Sequence, residues 1–181
     1  MFFNRNFPFA IFMAVLFSAC NLHSQKNIPI GNERYDLGNP VVIRLPDGLA
    51  EISGIVYYPK DTAVFAIEDE DGILYKIYLN RDKDIQKWRF DKKHDFEDLV
   101  LRDSTFFVLI SNGDIESLQF GTGDSITGNK YLLPDAGKKQ NEFESLYYDD
   151  SLQQLVLLCK DCTDDGKNAL SAWGFNLNTQ L

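Results

Sequence analysis

The chain has 181 residues, 44% of them apolar, and a formal net charge of −9. That composition supports one domain with a buried core and excludes a disordered chain. The acidic balance excludes the broad basic surface that nucleic-acid binding needs.

At the N-terminus, one cation, Arg5, precedes an apolar stretch from Phe7 to Phe17. It is too short for a stable bilayer-spanning helix and reads as a secretory signal. Ser18 and Ala19 lead into Cys20, the pattern of a bacterial lipoprotein signal, although Phe17 stands where leucine is usual. Cleavage there leaves Cys20 as the lipidated first residue. An ordinary signal cleaved near Ala19 is the competing reading. Residues 20–38 are polar and contain Pro29 and Gly31, which suits a tether. The expected organisation is therefore a signal over 1–19, a tether over 20–38 and a folded domain over 39–181. The expected location is the cell envelope, anchored by lipid to the outer membrane and facing the periplasm.

The folded region repeats. EISGIVYY from Glu51, DFEDLVLR from Asp95 and EFESLYYD from Glu142 align, each opening on acids. Polar turns follow, then second strands AVFAI (63–67), FFVLI (106–110) and QLVLLC (154–159). After further polar loops come third strands ILYKIYL (73–79), IESLQF (115–120) and ALSAWGFNL (169–177). IQKWRF (85–90) and NKYLLP (129–134) supply fourth strands in two of the repeats. Four short strands about every 45 residues is the period of a β-propeller blade. The fold class predicted is all-β, with about three four-stranded blades forming an open, incomplete arc. VVIRL (41–45) aligns with the fourth strand of a preceding blade and should lack partners. The first and third blades should each expose an apolar face, so the chain is expected to associate or to be part of a longer product.

Side chains alternate along a strand, so Asp95, Glu97 and Leu99 are expected on one face and Phe96, Asp98 and Val100 on the other. Propeller first strands line the central channel. Glu51, Asp95 and Glu142 should then ring one channel mouth, with Glu97 and Glu144 just inside. Like charges that close need water, a Lys or Arg, or a metal ion between them. Hard oxygen ligands of this kind suit Ca²⁺ or another divalent cation, and a hydrated acidic channel is the equal alternative. Lys160, closing a second strand, can neutralise part of the ring or meet an anionic ligand.

Other constellations are weaker. His94, beside Asp95, is the one histidine of the folded region and a candidate general base or ligand contact at the channel mouth, with a plain surface residue as the preferred reading. Cys159 and Cys162 lack the further ligands of a zinc ribbon, and an oxidising envelope permits a disulfide between them. EDEDG (68–72) lacks EF-hand spacing and reads as a solvated hairpin turn.

The phrases LAEISGIVYY, AIEDEDGILYKI, KKHDFEDLVL, SNGDIESLQF and NEFESLYYDDSLQQLVLLCK resemble the SdiA-regulated protein family, from about Tyr35 to Leu181. The resemblance implies a six-bladed envelope propeller with a bound divalent cation and no defined reaction. Its partner would be an envelope ligand or protein. The blade openings also look like those of phytase-like esterase propellers and the gluconolactonase group, whose central acids hold Ca²⁺ or another divalent ion. That likeness makes Glu51, Asp95, Glu97, Glu142 and Glu144 the candidate metal or substrate residues. Ile52 and Ser53 depart from the gluconolactonase pattern, and Asp98 and Ser145 replace the glycine of the phytase-like phrase. The expected function is a lipid-anchored binding or scaffold module. The alternative is a metal-dependent hydrolase of lactones, esters or phosphoesters.

Overall fold

The computed structural model describes residues 38–45, 47–80, 85–133 and 141–177. Cys20 and nearly all of the expected signal and tether lie outside them. Ile43–Leu181 forms one compact unit, and it is all-β. The first sheet contains β1 (Ile52–Tyr58), β2 (Ala63–Glu68), β3 (Ile73–Tyr78) and β4 (Gln86–Arg89) in sequential order. The second contains β5 (Phe96–Arg102), β6 (Thr105–Ile110), β7 (Ile115–Phe120) and β8 (Ile126–Tyr131). β9 (Glu142–Asp149), β10 (Gln154–Asp161) and β11 (Ala172–Asn176) make the third. Every pairing is antiparallel, as the short polar connections require. Each sheet is a propeller-type meander, and the first strands β1, β5 and β9 pack on one another in succession.

Apolar side chains between the sheets hold the stack together. Phe65, Ile67 and Leu74 of the first sheet meet Phe96, Leu99, Phe106, Val108 and Leu118 of the second. Phe107, Leu109 and Ile115 of the second meet Phe143, Leu146, Leu155 and Leu157 of the third. Each such side chain contributes about 1.5–3 kcal/mol on full burial. The run Phe106–Ile110 is apolar without alternation because both faces of β6 are covered. β10 alternates, because only its Leu155 and Leu157 side reaches a neighbouring sheet.

Both ends of the stack are open, as expected of an incomplete arc. Ile55 and Tyr57 point away from the second sheet and are 57% and 53% exposed. At the other end Tyr147 and Leu158 are 62% and 50% exposed. Val41–Leu45 has no strand pairing among the described residues, and Val41 is 91% exposed.

Two local expectations are corrected. The fourth strand of the second repeat is Ile126–Tyr131, not 129–134. Its start pairs Ile126 with Phe120 across a turn at Gly121–Ser125, so glycine-rich SITG is drawn into the ladder by β7. Asp95, Glu97 and Leu99 also do not share a face. A register shift between Phe96 and Asp98 inserts an extra residue, which carries Phe96 and Leu99 into the same core cluster. β1 shifts at the same place, between Ile52 and Gly54. Cys159 and Cys162 are joined in a disulfide, with Cα atoms 6.0 Å apart.

Candidate functional site

A backbone relay brings the blade openings together. The Asp69 N–H donates to the Glu51 carbonyl at 3.2 Å, and the Asp69 carbonyl accepts from Phe96 N–H at 2.7 Å. One repeat later the Ser111 N–H donates to the Asp95 carbonyl at 2.8 Å, and the Ser111 carbonyl accepts from Phe143 N–H at 2.8 Å. Asp69 and Ser111 each follow a second strand, so they occupy one repeat position. Glu51 and Asp95 are thereby held beside the start of the following sheet.

Glu97 is the electrostatic centre of the result. Burial pushes its carboxyl up to about 7, and Glu144, Asp95 and Asp69 push in the same direction while Lys160 opposes them. Acids of all three sheets thus act on the Glu97 carboxyl. Lys160 donates to Glu144 Oε1 at 2.7 Å and lies 3.7 Å from Glu142 Oε2. The hydrogen bond and charge of Glu144 in turn hold the Lys160 ammonium above its usual range. Lys160 thus neutralises part of the group, one of the two roles expected of it. Glu51 is exposed and joins the group through its carbonyl.

Asp69 was not legible as part of this site, because EDEDG reads as a solvated turn. Its Oδ1 is buried without a hydrogen-bond partner, which is costly for a carboxylate. The signal for it was positional: it is the residue immediately after a second strand.

Asp98, in contrast, belongs to the scaffold. Oδ1 accepts from Leu99 N–H and Oδ2 from Leu146 N–H on the third sheet, both at 2.7 Å. Burial raises its carboxyl, against these two backbone donors, which lower it. At the matching place in the first sheet, Gly54 lets the backbone of β5 approach directly: a Cβ there would lie 2.6 Å from Leu99 N. So where the second repeat departs from glycine, its carboxylate bridges the blades instead.

His94 is turned to other partners. Its Nε2 lies 3.1 Å from Asp91 Oδ2 and 3.3 Å from Lys130 Nζ, and its ring packs edge-on against Phe96. At the opposite end of the first two sheets, a cavity of about 290 Å³ is lined by Tyr58, Phe65, Trp88 and Phe120. Lys76 enters it, ion-paired to Asp61 and 5.0 Å from the Tyr78 ring centroid.

No protein-family model matches the chain, and no curated protein matches it. Solved structures similar to it include two β-propeller proteins. One is a luciferin-regenerating enzyme, at 12% identity and a TM-score of 0.48, covering 70% of this chain and 42% of that one. The other is the Cps50 (Swd1) β-propeller domain of Myceliophteria thermophila, also at 12% identity and a TM-score of 0.48, covering 71% of this chain and 39% of that one. This chain spans about two fifths of the length of either structure.

Proposed function

We propose that the chain is a binding module of the cell envelope, tethered by lipid at Cys20, whose acidic channel mouth holds a divalent cation of the Ca²⁺ type. The resemblance to SdiA-regulated envelope proteins supplies its context. One observation carries the cation reading. Asp69, Asp95 and Glu144, contributed by successive repeats, each raise the carboxyl of Glu97, which is half-shielded from water. Carboxylates so placed repel until a cation or a proton intervenes, and Ca²⁺ takes six to eight oxygens from such donors. Among the described residues Lys160 is ion-paired with Glu142 and Glu144, which leaves Glu97 and Asp95 to an added ion.

Calorimetric titration of Ca²⁺ into the full-length protein tests the cation. Saturable binding that weakens at least tenfold in Glu97→Gln and Glu144→Gln supports the reading. Equal affinity in all three proteins would leave a hydrated acidic channel in its place. For the anchor, Cys20→Ser should move the protein from the membrane fraction to the soluble envelope fraction.

A further inference from the structure

We infer that Asp91, His94 and Glu116 form a second cation site, suited to a divalent transition metal, for which Lys130 competes as an internal cation. Asp91 and His94 come from the turn between β4 and β5, Glu116 from β7 and Lys130 from β8. Together with Phe90 and Leu118 they line a cavity of about 430 Å³. One donor atom from each of the first three residues lies within 4.8 Å of the others. His94 Nε2 and Asp91 Oδ2 are already 3.1 Å apart. Two ligands on one tetrahedral ion with bonds of about 2.0–2.2 Å stand about 3.3 Å apart, so this pair needs little movement.

A positive charge already sits at the centre of the three donors. Lys130 Nζ is 3.1 Å from Glu116 Oε1, 3.3 Å from His94 Nε2 and 3.6 Å from Asp91 Oδ2. The group is thus built around a cation, and the question is only which cation fills it. Lys130 reaches in from the exposed strand β8 on a flexible stem, so its ammonium can withdraw to water. Glu116 is nearly buried, and Asp91 and His94 are half-buried, so the donors are held in place when it does. The donor set decides the class of metal. An imidazole nitrogen with two carboxylates suits Zn²⁺, Co²⁺, Mn²⁺ or Fe²⁺, whereas Ca²⁺ and Mg²⁺ prefer oxygen alone. This site therefore differs in chemistry from the all-oxygen channel mouth and does not depend on it. A bound ion would clamp the turn before β5 to β7.

Zn²⁺ binding by calorimetry and Co²⁺ absorption, on the full-length protein with the Cys159–Cys162 disulfide kept oxidised, test the inference. The wild type should take up one ion saturably. Lys130→Met removes the competitor and should tighten binding roughly tenfold or more. Introducing His94→Ala into the Lys130→Met protein should abolish the Co²⁺ ligand-field band, and His94→Gln repeats the test if alanine there disturbs folding, which circular dichroism reports. Absence of saturable binding in both the wild type and Lys130→Met overturns the inference. So does tightening in Lys130→Met that survives loss of His94, since that would be a general charge effect.

Discussion

Replacing Glu97 by glutamine should remove a pH dependence of stability that burial and the neighbouring acids impose on it. The Glu97 carboxyl is raised from 4.5 to about 7, first by burial and then by Glu144 and Asp95. Each pH unit of displacement corresponds to about 1.4 kcal/mol, which would give about 3 kcal/mol for a wholly shielded group. Glu97 keeps contact with water, and screening reduces this to about 1 kcal/mol. The sign follows from proton binding. Between pH 4.5 and about 7 the folded protein holds a proton on Glu97 that the unfolded chain has released. Stability therefore falls as pH rises through that window and is level above it. Glutamine cannot ionise, so the variant should match the wild type near pH 4 and exceed it by about 1 kcal/mol at pH 8. Urea denaturation of both proteins at pH 4.5, 6, 7 and 8, with a chelator present, measures the difference, in which the pH dependence of groups remote from Glu97 cancels. A difference that does not change with pH would refute the argument, because Glu97 would then titrate as an ordinary exposed acid.

Three further outcomes concern the scaffold that positions these acids. Gly54→Ala places a methyl group 2.6 Å from Leu99 N and 2.9 Å from the Asp98 carbonyl carbon, backbone that cannot rotate away; denaturant titration should show a loss of about 2–3 kcal/mol. Asp98→Ala strips the acceptor from the Leu99 and Leu146 N–H groups and should cost about 1–3 kcal/mol in the same assay, with Asp98→Asn, which keeps one acceptor oxygen, losing less. Thr62 has a φ of 48°, a left-handed conformation that a β-branched residue adopts at a cost of about 1–2 kcal/mol. Thr62→Gly should relieve most of it and raise the melting temperature, and a lower melting temperature would show that the Thr62 side chain matters more than its backbone.

The blades were legible because two signals agreed: apolar runs of strand length and turn residues at a steady spacing. Ile115–Phe120 and Glu142–Asp149 have the bounds that their apolar patterns suggest. β8 was misplaced because Gly128 interrupts it directly after the turn Gly121–Ser125, so the short Ile126–Thr127 pair reads as loop until its pairing with β7 is known. The bulge in β5 was hidden for a related reason. An extra residue in a strand leaves no compositional trace when the residues around it are already polar, as Glu97 and Asp98 are.

The acids themselves illustrate how far a repeat can be read. Glu97 and Glu144 hold equivalent repeat positions, visible in the sequence, and Glu144 raises the Glu97 carboxyl. Alternation already set Glu97 and Asp98 on opposite faces; what was not visible is which groups each would meet there. Glu97 is left facing Glu144, Asp95 and Asp69, where its charge is costly. Asp98, one residue later, is turned onto Leu99 and Leu146 N–H groups, where charge is neutralised by donors. Two adjacent acids of nearly the same intrinsic pKa thus end in opposite environments. Composition cannot separate them, because the difference lies in where the next blade presents its backbone. A bridging carboxylate at position 98 serves the stack only because β9 brings Leu146 N–H within reach. In the first blade β5 presses directly on β1, and there glycine at position 54 is the residue that fits.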